Sequence, residues 1–165
     1  MSIIGIIASE RQANQIRKEI KEELEIELIS INYKSIENIK NLKFEIVIIQ
    51  DSLEKLKENQ ELVKEILKET KYLLLNTDIT INEDIFKDIN AKILTYGLKQ
   101  KSTVTVSSIG EKQIIISIQR AFKNIKGKMI GEQEIPVNLG KNSTRDLYNS
   151  IIKTAIINIF STESR

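Results

Sequence analysis

Residues 2–11 of the chain read SIIGIIASER, an apolar run made mostly of isoleucine that ends abruptly in polar residues. β-Branched runs of this length are typical of a strand that is covered on both faces. Ser9 then stands where a helix would begin, and Gln12 follows at the spacing of a capping box. The stretch therefore predicts a buried strand over residues 3–8 that leads at once into a helix.

The same alternation continues towards the carboxyl terminus. Apolar segments predict further strands over residues 26–31, 44–50, 71–78 and 91–97, and helical patterns lie between them. Ser35 is the predicted cap of a short helix, and Asp51 with Glu54 is the predicted cap of a long helix that ends near Thr70. Strands that alternate with helices favour right-handed crossovers and a parallel sheet with helices on both sides.

The pattern changes after Ser102. The segments TVTVSSI (103–109), QIIISIQRAF (113–122) and KMIGEQEIPV (128–137) predict an antiparallel ribbon, and an apolar stripe over residues 145–160 predicts a final helix. The predicted fold class is α/β, three-layered and Rossmann-like, with a mostly parallel sheet of about five strands, an antiparallel ribbon extension and a C-terminal helix. We predict a single domain over residues 1–165, with an alternating part at 1–100 and the ribbon and helix at 101–165.

The composition excludes several kinds of chemistry. The chain of 165 residues contains no cysteine and no histidine. Disulfides, thiolate nucleophiles, zinc ribbons and every catalytic triad that uses either residue are therefore excluded. We predict no metal and no cofactor, and we expect any chemistry to come from carboxylates, lysine, tyrosine or hydroxyl groups.

The charges also limit the partners. The 25 basic and 23 acidic residues are interleaved rather than gathered into a basic patch, which argues against nucleic-acid binding. The amino-terminal apolar run is too short to cross a bilayer, and no basic region precedes it. We therefore expect a cytoplasmic protein with no nucleic-acid or membrane partner. A protein partner, a second copy of the chain and a small ligand all stay open as partners.

Polar residues follow the predicted strands. In an open parallel sheet, ligands bind beyond the carboxyl ends of the strands, where loops converge and helix amino termini present free amide groups. Asn32 follows the second strand, and the candidate ligand-binding residues at the other strand ends are Ser9, Glu10, Asp51, Asn76 and Asp78. The simpler interpretation is that strand ends are polar because they emerge into water and cap the next helix.

The usual phosphate-binding motifs are absent. A P-loop needs glycines and a lysine, and the turn IIASERQA has neither between its strand and helix, where Glu10 would repel a phosphate. The dinucleotide glycine fingerprint fails as well, because Gly5 lies inside the predicted strand. Glu10 with Asp51, Thr77 and Lys99 loosely resembles the phosphoacceptor site of receiver domains. That site would lose a magnesium ligand, because its acidic pair is reduced to Glu10.

Three segments of the second half carry a family pattern. They are YLLLNTD (72–78), ILTYGLKQKSTVTVSSI (93–109) and IPVNLGKNSTRDLYNSIIKTA (135–155). In order and spacing they resemble the latter half of the central ATP-binding domain of Mur ligases. Asn76 and Asp78, Tyr96 and Gly97, and Asn149 fall on matching positions. The resemblance implies that any surviving nucleotide contact lies at Asn76, Asp78 and Asn149, near the adenine.

The departures from that family decide the functional hypothesis. The first half lacks the ATP loop, Arg145 and Asp146 replace the family's histidine-asparagine pair, and we see no carboxy-terminal ligase domain. The leading hypothesis is therefore a non-catalytic, Mur-ligase-like binding or scaffold domain. The alternatives are a nucleotide-dependent ligase or transferase-related enzyme that uses Asp51, Asp78 and Lys99, a degenerate receiver-like domain, and a structural subunit that associates through an edge strand such as QIIISI (113–118).

Overall fold

The computed structural model describes residues 1–140 and 143–162. Residues 141 and 142 of the predicted loop LGKNST, and residues 163–165 at the end of the predicted 101–165 part, lie outside the described residues. The chain forms two compact units, of which the first covers Met1–Leu94 and the second begins at Thr95.

The first unit alternates strands with helices, as the sequence predicts. Its α-helices and strands are β1 (Ser2–Ile7), α1 (Glu10–Lys21), β2 (Ile26–Ser30), α2 (Ile36–Ile39), β3 (Ile46–Ile49), α3 (Gln60–Lys68) and β4 (Tyr72–Asn76). It also contains the 3₁₀ helices Leu53–Asn59 and Glu83–Phe86, and β5 (Lys92–Tyr96) runs across the boundary into the second unit.

The strands of the first unit lie parallel in the order β2-β1-β3-β4. In β1, Gly5 has Ile29 of β2 on one side and Val47 of β3 on the other. On the far side of β3, Ile48 lies opposite Leu74 of β4. The chain thus adds β2 on one side of β1 and β3 on the other, so the direction of winding reverses at β1.

The inner strand β3 is covered on both faces. Val47 and Ile49 of β3 pack in one apolar cluster with Val63 of α3. Ile46 and Ile48 alternate with them along the strand and are also fully buried. Burial on both faces explains why β3 appears in the sequence as a continuous apolar run, whereas in the outer strand β2 the exposed Glu27 lies between the buried Ile26 and Leu28.

Two predicted helix caps form no side-chain cap bond, although Ser35 does precede α2 as predicted. Ser35 has a helical backbone (φ −97°, ψ −23°) instead of the extended one of a capping residue, and its hydroxyl donates to the Ser30 carbonyl at 2.9 Å. Asp51 does not cap either, because Ser52 precedes the next helical segment and no side-chain cap bond forms there. That segment is the 3₁₀ helix Leu53–Asn59, so the predicted long helix is divided into a 3₁₀ helix and α3.

The second unit contains antiparallel strands and the last helix. Its elements are β6 (Val104–Ile109), β7 (Gln113–Ile118), β8 (Phe122–Lys123), β9 (Met129–Ile130), β10 (Gln133–Asn138) and α4 (Thr144–Phe160). β7 pairs antiparallel with both β6 and β10, and β8 and β9 form a two-stranded antiparallel ribbon. The predicted fold class is confirmed: the protein is mixed α/β, with a mostly parallel sheet of several strands, an antiparallel ribbon and a C-terminal helix.

The segment QIIISI does not offer a free edge, contrary to the prediction. It forms β7, in which Ile116 has one partner in β6 and another in β10. The outer strand is β10, where the Leu139 N–H donates to the Lys112 carbonyl at 2.8 Å. Because N–H directions alternate along a strand, Pro136 occupies a position whose N–H would point away from β7. Proline has no such donor, which makes this edge a poor template for another strand.

Helix α4 begins one residue before the predicted start, at Thr144. The Ser143 hydroxyl caps it by accepting from the Asp146 N–H at 3.2 Å. Its buried face includes polar groups, among them Asn158, whose Nδ2 donates to the Thr154 carbonyl at 2.8 Å. Across residues 1–140 and 143–162, no helix has the length and apolar character needed to cross a membrane.

Candidate functional site

A cleft of about 490 Å³ opens in the first unit beyond the carboxyl ends of β1, β2 and β3. Its walls are formed by residues 7–10 after β1, residues 31–34 after β2, and residues 51–52 and 55–56 after β3. Because β1 lies between β2 and β3, the cleft sits where the strand order reverses. In open parallel sheets this is the position at which ligands bind.

Three of the predicted ligand-binding residues meet in this cleft. Ser9, Glu10 and Asp51 all line it, together with Asn32. Glu10 and Asp51 are exposed, and they lie three and two residues beyond the last residues of β1 and β3. These residues come together because neighbouring parallel strands, about 4.8 Å apart, end at the same edge of the sheet.

A hydrogen-bond network holds the Glu10 carboxylate. The Asn32 Oδ1 accepts from the N–H groups of Lys34 and Ser35, at 2.9 Å and 3.0 Å. These two donors fix the orientation of the Asn32 amide, so its Nδ2 donates to Glu10 Oε1 at 3.1 Å. Within the part of the chain that the structure describes, the second carboxylate oxygen of Glu10 has no hydrogen-bond partner. Glu10 is therefore held in place while one of its acceptors stays available.

Ser9 contributes to the cleft as a helix cap. Its hydroxyl accepts from the Gln12 N–H at 3.2 Å, as the capping pattern predicts, and its carbonyl accepts from the Ala13 N–H at 2.9 Å. These bonds satisfy backbone donors that would otherwise be exposed at the start of α1. The cap also fixes the direction in which the chain leaves β1 and enters the wall of the cleft.

The substitution Ser9→Ala is expected to lower the free energy of unfolding by about 1 kcal/mol, because it removes this cap. Ser52→Ala is the matched control, since Ser52 also precedes a helical segment but makes no side-chain cap bond. We expect that control to change the free energy of unfolding by less than about 0.5 kcal/mol. Urea denaturation of both variants measures the difference, and equal losses would contradict the capping role of Ser9.

Four further lining residues were missed by the sequence analysis: Tyr33, Lys34, Ser52 and Lys55. Tyr33 is 59% exposed, and the Lys34 Nζ lies 5.7 Å from the centroid of its ring. Both directly follow Asn32, so a search that extended three residues past the end of each predicted strand would have found them. Lys55 gave no such signal, because it reaches the cleft only through the 3₁₀ turn that follows β3.

The predicted residues after β4 are engaged by the protein itself. Asn76 is 2% exposed, its Nδ2 donates to the Gln50 carbonyl at 3.0 Å, and its Oδ1 accepts from the Asp78 N–H at 2.9 Å. Neither Asn76 nor Asp78 lines the cleft. The Asn76 amide thus ties the end of β4 to the end of β3, and a ligand role for these two residues stays a prediction.

The remaining predicted residues also lie outside the cleft lining. Asn149 is 2% exposed on α4 and belongs to the second unit, as does the exposed Lys99. Thr77, half-buried after β4, does not line the cleft either. Of the receiver-like set, the cleft therefore contains only Glu10 and Asp51.

The cleft presents charges of both signs. Its charged lining residues are Glu10, Lys34, Asp51 and Lys55, whose formal charges cancel. Among the residues that the structure describes, no three acidic side chains form a group that could hold a metal ion. The groups that the cleft offers to a ligand are carboxylates, ammonium groups, hydroxyls and an aromatic ring.

No protein-family model matches the chain, and no curated protein matches it. Among solved structures, a crystal structure of CapF with the inhibitor 3-isopropenyl-tropolone matches with a TM-score of 0.45 and 8% sequence identity. The match covers 98% of this chain and 64% of the CapF chain, so this chain spans less than two thirds of that protein's length.

Proposed function

We propose that this chain is a binding domain that takes a small ligand in the cleft beyond β1, β2 and β3. The observation that carries the proposal is the position of the cleft, at the point where the strand order β2-β1-β3 reverses. At such a point the two neighbouring loops diverge to opposite sides of the sheet and leave a crevice between them.

The lining of the cleft supports a small organic ligand. Its volume of about 490 Å³ falls within the usual range for such ligands. Tyr33, which is 59% exposed, supplies an aromatic surface, and the lining also includes Ile7, Ile31 and Leu56, each at most 6% exposed. The polar side chains around them, of which Glu10 and Asp51 are exposed, combine with that surface in the way that is typical of ligand pockets.

We also propose that the domain is related to the Mur ligases in fold and that it is not catalytic. From Tyr72 onward the elements follow the order that the resemblance implies: a strand ending at Asn76, a strand ending at Tyr96, antiparallel strands and a final helix. Glu10 lies in the first turn of α1, where the helix dipole would otherwise favour a phosphate, and its charge opposes phosphate binding there. This order of elements, together with an acidic residue at the start of α1, supports binding rather than nucleotide-driven ligation.

Titrations followed by amide NMR test the proposal. The probes are L-leucine, D-ribose, adenosine and ATP with Mg²⁺, each at millimolar concentration. We expect at least one of L-leucine, D-ribose and adenosine to shift the amide signals of Ser9, Asn32 and Asp51 without shifting those of β10. Saturable binding of ATP with Mg²⁺ would instead favour the nucleotide-dependent enzyme.

A blocked cleft provides the control. Ser52→Trp places a large ring in the lining and is expected to abolish the shifts, whereas Ser108→Trp, at an exposed position on β6, is expected to leave them intact. If no probe shifts the lining amides, or if the shifts survive Ser52→Trp, the proposed binding function is wrong.

A further inference from the structure

The charged residues of the cleft are not paired with one another. Elsewhere in the first unit, acidic and basic neighbours form ion pairs, such as Glu37 with Lys40 at 3.2 Å and Asp84 with Lys87 at 2.8 Å. Within residues 1–140 and 143–162, no ion pair joins a carboxylate of the cleft to an ammonium group of the cleft. A ligand can therefore meet these charges without first breaking an internal ion pair.

The absence of an ion pair is clearest for the two charged lining residues that follow β3. Asp51 and Lys55 are four residues apart, both are exposed, and both line the cleft. In the segments around them, Glu54 pairs with Lys57 and Glu61 pairs with Lys64, at 3.9 Å and 3.5 Å. Asp51 precedes the 3₁₀ helix instead of lying on it, so the spacing that pairs helical neighbours does not apply to Asp51 and Lys55.

Desolvation decides which ligand suits such a cleft. A ligand that covers exposed carboxylates and ammonium groups removes water from both. This removal is costly unless the ligand supplies an opposite charge to each. An uncharged ligand supplies neither, and an anion or a cation supplies only one. A ligand that carries an ammonium and a carboxylate offsets the cost at both ends, and because the lining charges cancel, it leaves the cleft neutral.

Two features help to define the ligand further. The Asn32 amide holds Glu10 in place, so one carboxylate is oriented before any ligand arrives. The ring of Tyr33, which lines the cleft and is 59% exposed, would remain uncovered by a ligand made only of charged groups. The ligand therefore needs an aliphatic or aromatic group beside its two charges.

We infer that the cleft binds a zwitterion with an apolar side chain, that is, a free α-amino acid or a short peptide with both termini free. Its ammonium group pairs with the carboxylates of Glu10 and Asp51, and its carboxylate pairs with Lys34 and Lys55. This inference rests on the proposed binding function and adds the chemical class of the ligand.

Calorimetry with matched probes tests the inference. L-Leucine and the dipeptide Leu-Leu are the two zwitterions, and they distinguish an amino acid from a peptide. Isoamylamine keeps the aliphatic group and the ammonium but lacks the carboxylate, and isocaproate keeps the carboxylate but lacks the ammonium. We expect at least one zwitterion to bind, and each single-charge analogue to bind at least about tenfold more weakly.

Charge-removing variants connect that binding to the cleft. Asp51→Asn and Lys55→Met each remove one charge at nearly constant volume, and each is expected to weaken zwitterion binding about tenfold. Glu58→Gln and Lys68→Met are the matched controls at exposed positions that do not line the cleft, and they are expected to leave the affinity unchanged.

The results separate this inference from the proposed function. If isoamylamine or isocaproate binds as tightly as the zwitterions, or if neither charge-removing variant weakens binding, the ligand is not recognised as a zwitterion. If adenosine or D-ribose shifts the lining amides and neither zwitterion binds, the inference is wrong although the binding function stands. If no probe shifts the lining amides and neither zwitterion binds, both the inference and the proposed binding function are wrong.

Discussion

Replacing Asn76 by aspartate is expected to destabilise the protein by roughly 3 kcal/mol or more at neutral pH. The change substitutes one atom, but it turns the donor that faces the Gln50 carbonyl at 3.0 Å into an acceptor with negative charge. The side chain is 2% exposed, so water cannot compensate the lost bond. Urea denaturation measures the loss as a lower midpoint at unchanged slope.

The pH dependence of this variant follows from the same contacts. Burial and the facing carbonyl are expected to raise the pKa of the new carboxyl above its usual value of about 4. Below that usual value the group is protonated in both the folded and the unfolded chain, and its O–H can donate to the Gln50 carbonyl. As the pH rises through the folded-state pKa, stability is lost. The stability gap to the wild type is therefore expected to narrow as the pH falls from neutral towards about 4.

Asn90→Asp is the matched control for this experiment. Asn90 is exposed, so the same atomic change is expected to alter the free energy of unfolding by less than about 0.5 kcal/mol. Equal effects of the two substitutions, or a gap for Asn76→Asp that does not depend on pH, would contradict the structural role assigned to the Asn76 amide.

Gly5→Ala is expected to cost about 1–3 kcal/mol of stability, because the core beside β1 has no room for a methyl group. A Cβ at this position would lie 2.5 Å from Ile31 Cδ1 and 3.1 Å from two ring carbons of Phe44. Both neighbours are at most 2% exposed, so neither can move out into solvent. Gly131→Ala is the control, since a Cβ there meets no atom within 4 Å. Thermal and urea denaturation measure both variants.

A double-mutant cycle identifies the clash. Ile31→Val removes Cδ1 and by itself is expected to cost about 1 kcal/mol. In combination with Gly5→Ala it opens the space that the new methyl group needs. The double variant is therefore expected to lose about 1 kcal/mol less unfolding free energy than the sum of the two single losses. Phe44 remains close to the new methyl group, so the rescue is partial. Additive losses would show that the contact with Ile31 is not the cause.

The strands were predictable from the sequence to within a few residues. The run at residues 44–50 contains β3, and the run at residues 3–8 covers all of β1 except Ser2, because a strand buried on both faces must be apolar along its length. The capping role of Ser9 was predictable for a similar reason, since the bond from the Gln12 N–H is local in the chain. The two predicted caps that form no side-chain cap bond, Ser35 and Asp51, lie at short or 3₁₀ segments whose backbone conformation depends on the loops around them.

The candidate site was predictable in part. The expectation that polar residues after parallel strands meet at one edge identified Ser9, Glu10 and Asp51. The same expectation included Asn76, whose amide is instead bonded to backbone groups at the ends of β3 and β4. It missed Lys55, because the course of the 3₁₀ turn that carries this residue to the cleft is not encoded in a local pattern of apolar residues.

The sequence by itself determined the kinds of elements, their order along the chain and the absence of histidine and cysteine chemistry, because each of these depends on composition or on residues close together in the chain. Only the tertiary structure decided that β1 lies between β2 and β3, that β7 is paired on both sides, and that Asn76 faces the Gln50 carbonyl. Strand order and side-chain partners arise from pairing between segments that are distant in the chain. The free energy of that pairing comes from many residues of the core, so no single position of the sequence predicts it.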